Sequence, residues 1–85
     1  MTAIEVLSEG GSAFSVRVEG RSFTVTAAET LAAELGAPDT MALVRASFEF
    51  LLGRESAGSI LPRFDLSVIA RYFPEWPEVM RGHWG

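Results

Sequence analysis

The chain has 85 residues, of which 48% are hydrophobic and six are Phe, and its formal net charge at pH 7 is −4. This length predicts one domain, residues 1–85, with a small core. The acidic balance gives no overall field that attracts nucleic acid or an anionic membrane, and the absence of Cys excludes disulfides and thiol chemistry. The apolar content leaves two interpretations open: an unusually apolar monomer, or burial against a second copy or another protein partner.

The N-terminal segment, MTAIEVLSEGG, lacks the basic and apolar regions of a signal peptide. No apolar run reaches the ~20 residues of a transmembrane helix. We therefore expect a cytoplasmic protein without a membrane partner. Lys and Asn are absent while Ala, Gly and Arg are abundant, which is typical of a GC-rich genome and suggests a bacterial source.

Residues 3–26 alternate between apolar and polar side chains, the pattern of half-buried antiparallel strands. Glycines at positions 10, 11 and 20 mark two turns. A two-residue second loop would pair Val18 with Phe23. A three-residue first loop, with a glycine in the left-handed conformation, would pair Val6 with Phe14 and keep one face apolar. The pattern therefore predicts a three-stranded antiparallel meander.

A short helix is predicted directly after the meander. Thr26 and Glu29 have the spacing of a capping box, in which each side chain bonds the other residue's backbone N–H. The helix should continue to about Leu35 and end at Gly36, which tolerates the left-handed conformation.

Residues 39–54, DTMALVRASFEFLLGR, are expected to form the central helix. Their apolar arc is roughly 200° wide, where a surface helix needs only about 100°. Asp39 is a suitable N-cap. The residues left for water are Ala42, Arg45, Ala46 and Glu49. Because such a helix must be covered from two sides, the other elements are expected to pack around it.

The C-terminal third should add helices. Asp65 is a plausible N-cap for a helix over residues 66–73, which Pro74 would end. A last turn over residues 77–81 would stop at Gly82. The expected fold is α+β: the meander, about 3–26, followed by three to four helices, about 27–81, packed on one face. The expected core comprises Phe14, Val16, Val18, Phe23, Val25, Leu31, Leu35, Val44, Phe48, Leu51, Ile69 and Phe73.

No residue pattern points to catalysis. The single histidine, His83, has no fixed neighbour predicted around it, and geometry must precede pKa for a general base. The serines have no His or Lys partner, the glycines form no phosphate-binding loop, and the carboxylates lack metal-ligand spacing. We therefore expect no enzymatic activity, cofactor, metal or small-molecule ligand.

An aromatic block near the C-terminus is the best candidate for function. Tyr72 and Trp76 each carry an apolar ring with a polar tip, and Arg71 lies beside them in sequence. Trp, Tyr and Arg are the usual anchors of protein interfaces. Two interpretations stay open: packing against the central helix, or a contact patch formed by Arg71, Tyr72 and Trp76.

Residues 21–54 carry a strand, RSFTVT, a helix, AETLAAEL, a Gly-containing loop and a longer helix, TMALVRASFEFLL. This order resembles the ribbon-helix-helix DNA-binding domains. The resemblance implies an intertwined dimer whose paired strands lie in the major groove. Carried over by position, Ser22 and Thr24 would face bases, and the amides near Asp39 and Thr40 would face phosphate.

A second resemblance covers SFEFLLGRES and SILPRFDLSVIARYFPEW, which look like the C-terminal half of a family of small uncharacterised bacterial proteins. That resemblance implies no activity. The leading hypothesis is therefore a non-enzymatic protein-interaction module that associates with itself. A dimeric ribbon-helix-helix-like DNA-binding regulator is the alternative.

Overall fold

The computed structural model describes residues 3–84. Three strands come first, followed by helices that are interrupted by one more strand. In chain order the elements are β1 (Ile4–Ser8), β2 (Ala13–Val18), β3 (Arg21–Thr26), α1 (Glu29–Glu34), α2 (Thr40–Leu52), a 3₁₀ turn (Ala57–Ser59), β4 (Arg63–Asp65), a second 3₁₀ turn (Leu66–Val68), α3 (Ile69–Tyr72) and α4 (Trp76–Trp84).

The fold is α+β, as predicted, but its sheet is mixed and has four strands in the order β1-β2-β3-β4. The three predicted strands are antiparallel, and β4 pairs with β3 in parallel. The expectation of a meander alone is therefore wrong. β4 has only three residues and follows Pro62, so it falls below the four to eight residues by which a strand is recognised.

The second turn lies one residue earlier than predicted, which shifts the pairing of β2 with β3 by two residues. Glu19 and Gly20 form the loop, with φ angles of 51° and 77°, so Val18 faces Arg21 and Val16 faces Phe23. The expected pairing of Val18 with Phe23 is wrong. A two-residue loop with positive φ at both positions matches the twist of a hairpin, which a loop containing Arg21 would not.

The first turn has the predicted odd length, but it too is displaced. Residues 10–12 form the loop, and the Glu9 N–H donates to the Ala13 carbonyl at 2.9 Å. Val6 therefore faces Val16 instead of Phe14. The apolar face is still correct, because a shift of this kind preserves the alternation of side chains.

The predicted capping box is absent from the start of α1. Ala28 is the N-cap and makes no side-chain cap bond, while Thr26 belongs to β3. The Thr26 hydroxyl instead donates to Asp65 Oδ1 at 2.6 Å, across the β3–β4 pair. The end of α1 is as predicted: Gly36 has a φ of 75°, and the N–H that follows it bonds back to Ala32.

α2 confirms the prediction for residues 39–54. The Asp39 side chain accepts a hydrogen bond from the Ala42 N–H at 2.7 Å, which is an N-cap. The buried side is wider than expected, because Ala46 and Ser47 are also buried, whereas Met41 is partly exposed at the first turn. Leu31 and Phe73 are partly buried, and the other predicted core residues are fully buried.

The C-terminal segment begins as predicted and continues further. Asp65 caps the next turn by accepting from the Ser67 N–H at 3.0 Å. The predicted helix over residues 66–73 is divided into the second 3₁₀ turn and α3. α4 continues through Gly82 to Trp84, so the expected stop at Gly82 is wrong. None of the helices in the described part of the chain is long and apolar enough to cross a membrane.

Candidate functional site: an apolar groove beside the fourth strand

A groove of about 400 Å³ lies beside β4. Its walls come from the end of α2, the segment before β4, β4 itself and α3. The apolar lining dominates, and Leu61 and Tyr72 on the groove are 49% and 68% exposed. The residues that line the groove are Leu51, Glu55, Ser59, Ile60, Leu61, Phe64, Val68, Ile69, Tyr72 and Phe73.

The local sequence explains how this groove forms. The first 3₁₀ turn reverses the chain after α2, with the Ser59 N–H bonded to the Ser56 carbonyl at 2.9 Å. Pro62 then favours an extended chain into β4, which places Phe64 toward the core. Asp65 begins the turn that carries Val68 into the opposite wall.

Contacts between aromatic rings and charged groups fix the α2 side of the groove. Phe50 and Phe73 meet edge to face, with ring centroids 5.7 Å apart. The Arg54 guanidinium lies over the Phe50 ring at 3.7 Å from its centroid. Arg54 also reaches Glu75 at 3.4 Å, an exposed ion pair whose contribution to stability is small. These contacts hold the end of α2 against the segment between α3 and α4.

The polar groups of the groove are few and do not converge. Glu55 contributes a carboxylate, Ser59 a hydroxyl and Tyr72 a phenolic hydroxyl. No hydrogen bond joins any two of them among the described residues. Small-molecule sites combine apolar walls with several polar groups placed to fix one orientation of the ligand. This groove has apolar walls, but its polar groups are not placed to fix one orientation of a ligand.

The structure separates the three residues of the predicted contact patch. Arg71 and Tyr72 are exposed on α3, and Tyr72 lies on the groove. Trp76 is only 1% exposed, so it cannot present its ring to a partner as predicted. The alternative interpretation of packing against the central helix is correct for this residue.

Trp76 has a specific polar partner inside the core. Its indole N–H donates to the Ser47 hydroxyl at 3.2 Å, and Ser47 is itself fully buried on α2. The Ser47 hydroxyl in turn lies 3.9 Å from the Met80 sulfur on α4. The polar tip that suggested a half-exposed interface residue is therefore satisfied within the protein, which joins α2 to α4.

Asp65 carries a perturbed carboxyl group at the end of β4. Burial alone would raise the pKa of Asp65, but hydrogen bonds from the Ser67 hydroxyl, the Thr26 hydroxyl and the Ser67 N–H outweigh it and lower the pKa. The Ser67 hydroxyl lies 2.5 Å from Asp65 Oδ2. These hydrogen bonds favour the anionic form of Asp65 and join the end of β4 to β3 and to the turn that follows.

The residues assigned to DNA under the alternative hypothesis belong to two elements, β3 and α2. Ser22 and Thr24 are exposed on the polar face of β3, and Thr40 begins α2. A ribbon-helix-helix dimer needs a strand that is free to pair with its twin. β3 is paired with β2 on one edge and, over Thr24–Thr26, with β4 on the other. DNA binding stays a prediction that this arrangement does not favour.

A second cleft, of about 300 Å³, separates the start of α2 from the end of α4. His83 and Trp84 line it, with their rings 4.4 Å apart in an edge-to-face arrangement. Both residues belong to α4, which ends at Trp84. Within residues 3–84 no cluster of three His, Asp or Glu side chains could hold a metal ion.

Together these features define a small α+β domain whose sheet has one buried face and one exposed, mainly polar face, with an apolar groove at the last strand. The chain matches no protein-family model, no curated protein and no solved structure to a significant degree.

Of the residues that line the groove, only Tyr72 was predicted to belong to a contact patch. Leu61 and Phe64 come from SILPRF, which lies between the predicted helices. The available signal was a run of large apolar residues in a segment with no predicted element. Such a run needs something to cover it.

Proposed function

We propose that this chain is a non-enzymatic protein-interaction module that associates with a second copy of itself through the groove beside β4. The observation that carries the proposal is the exposure of Leu61 and Tyr72 on an apolar groove of about 400 Å³. Soluble domains keep contiguous apolar surface small unless it contacts a partner.

The groove favours a protein surface over a small molecule. Its few polar groups do not converge to orient a small molecule. An apolar surface of a protein partner needs only a shape that is complementary to the groove. Tyr72 is suited to the margin of such a contact, because its ring contributes apolar area and its hydroxyl can stay hydrated.

A second copy is the occupant that the charges support. Arg63 and Asp65 lie two residues apart at the edge of the sheet and carry opposite charges. A twofold axis that passes midway between Arg63 and Asp65 places each positive group near a negative group of the other copy. A basic partner would repel Arg63 at this surface, and an acidic partner would repel Asp65.

The test is sedimentation equilibrium from low micromolar to high micromolar concentration. We expect a reversible dimer, and we expect the double change Leu61→Ser, Tyr72→Ser to weaken it at least tenfold. Leu7→Ser is the matched control, because Leu7 is equally large and 61% exposed on β1, far from the groove. Circular dichroism verifies that each variant is folded.

Two outcomes would contradict the proposal. A monomer at high micromolar concentration would remove self-association altogether. A dimer that Leu7→Ser weakens as much as the double change would place the contact elsewhere on the molecule.

A further inference from the structure

We infer that the two copies pair β4 with β4, antiparallel, about a twofold axis at Phe64. The inference rests on the self-association proposed above and specifies its geometry. Two four-stranded sheets would join into one continuous eight-stranded sheet, with the two apolar grooves brought to the same interface. A twofold interface of this kind uses the same surface patch on both copies.

The outer edge of β4 is available for pairing. β4 is the last strand of the sheet, and the Thr24 N–H donates to the Pro62 carbonyl at 2.8 Å. In a parallel ladder with this bond, Phe64 directs its backbone groups toward β3, whereas the Arg63 N–H, the Arg63 C=O and the Asp65 N–H point outward. In the described chain none of these three groups meets a backbone partner outside β4. An unpaired edge is a template for another strand.

At the opposite edge of the sheet, one outward backbone group of β1 already has a partner. α2 packs against β1. The Arg45 guanidinium on α2 donates to the Ile4 carbonyl at 2.6 Å, so a backbone acceptor of β1 is already used. Natural proteins commonly protect a sheet edge by covering it in this way. We place the extension of the sheet at β4, because this edge also borders the groove on which Leu61 and Tyr72 are exposed.

The charges select the register of the pair. If the axis passes through Phe64, Arg63 of each copy lies directly opposite Asp65 of the second copy, and opposite charges across a strand pair are stabilising. An axis at Arg63 would oppose two arginines, and an axis at Asp65 would oppose two aspartates. Like charges directly opposite each other are destabilising, so only the Phe64 register is favourable among these three.

The same register suits the backbone and the apolar groups. Arg63 and Asp65 form the hydrogen-bonded positions, so each Asp65 N–H can donate to the Arg63 carbonyl of the other copy. Phe64 then forms the non-hydrogen-bonded pair, whose Cα atoms lie about 4.5 Å apart. Phe64 lines the groove, so this close approach brings Leu61 and Tyr72 of the two copies to the same side.

The first test is charge reversal. Arg63→Asp would place two aspartates opposite each other, and we expect the dimer dissociation constant to rise at least tenfold. Arg17→Asp is the control for the charge change, because Arg17 is an exposed arginine on β2 of the same sheet. The new aspartate lies opposite Glu5 on β1, so circular dichroism must verify that this variant is folded. That control should leave the dissociation constant within about threefold of the original value, because general repulsion is screened at moderate salt.

The second test uses the unmodified chain, so it does not depend on any variant folding. Hydrogen exchange measured by NMR should show the Asp65 amide protected at concentrations where the dimer dominates and unprotected in the monomer. The Thr24 amide, which already donates to Pro62 inside each copy, should be protected in both.

The outcomes distinguish the β4 pairing from self-association itself. A dimer whose Asp65 amide stays unprotected, and which Arg63→Asp and Arg17→Asp affect equally, would overturn the β4 pairing and leave self-association standing. A chain that is monomeric at high micromolar concentration would overturn both.

Discussion

Replacing Phe48 by Ala tests whether α2 is the centre of this fold. Phe48 is completely buried on α2, beneath the sheet. Its ring lies 5.3 Å from the ring of Phe23 on β3 and 6.0 Å from that of Phe64 on β4, measured between centroids. The single side chain therefore contacts an antiparallel strand and the parallel strand at once, and its removal weakens the packing of α2 against both.

The magnitude follows from burial and from these two contacts. Truncating a buried Phe to Ala costs about 3–5 kcal/mol, including the cavity that is left. Each aromatic pair adds about 0.5–1.5 kcal/mol beyond the buried area, so we expect the upper part of that range. Typical stabilities of about 0.05–0.15 kcal/mol per residue amount to about 4–13 kcal/mol for 85 residues. The variant should therefore lose between about a third and all of the free energy of unfolding.

Urea unfolding followed by circular dichroism measures this loss, with the free energy of unfolding taken from linear extrapolation. Phe48→Leu keeps most of the apolar volume but loses both aromatic pairs, so it should lose about 1–3 kcal/mol, less than Phe48→Ala. Tyr72→Ala is the exposure control and should change stability by about 0.5 kcal/mol or less at low micromolar concentration. A loss below about 1 kcal/mol for Phe48→Ala would refute the reasoning, because a buried Phe between two aromatic partners cannot be that dispensable.

Three further predictions concern single groups. Ser47→Ala leaves the buried Trp76 indole N–H without its acceptor and should cost about 1–3 kcal/mol in urea unfolding, and adding Trp76→Phe should make the pair less costly than the sum of the single changes. The folded-state pKa of Asp65 is lowered, so its contribution to stability is present above the unfolded-state value near 3.8 and is lost as pH falls through the folded-state value; the stability difference between the original chain and Asp65→Asn should therefore shrink below that pH. Gly82→Ala, in α4 with open space around the new Cβ, should raise stability by about 0.5–1 kcal/mol in thermal unfolding, whereas Gly36→Ala, at a φ of 75°, should lower it by about 1–2 kcal/mol.

The alternation of the strands predicted which side chains face the core, but it could not predict their partners. Val16 and Val18 are buried as expected, yet each faces a residue two positions from the predicted one. A register shift of two residues leaves every side chain on the same face of the sheet, so the hydrophobic pattern is the same in both registers. Only the backbone preference at Glu19 and Gly20, both with positive φ, distinguishes the two registers.

The capping box was wrongly predicted and β4 was not predicted, both for the same reason. Thr26 and Asp65 both looked like local caps, because each is followed by a segment with helical spacing. In the structure their side chains bond each other, although they are 39 positions apart in sequence. A sequence pattern over a few residues contains no information about a partner 39 positions away. Asp65 serves both as an N-cap and as part of the sheet.

The candidate site was predictable only in part for a related reason. Tyr72 and Trp76 have the same amphipathic chemistry, but only Trp76 has a polar partner in the core, Ser47, which converts it into a core residue. Tyr72 has none and remains exposed. Leu61 and Phe64 gained their role from β4, which the sequence pattern did not predict.

The parallel pairing of β3 with β4 also orders the events of folding. β1, β2 and β3 are joined by tight turns, so they can assemble quickly, whereas β4 can dock only after the chain between residues 27 and 62 has formed its helices. Until then β3, with the β-prone sequence RSFTVT, presents an unpaired edge. Aggregation during refolding should therefore rise with protein concentration for as long as β4 is undocked.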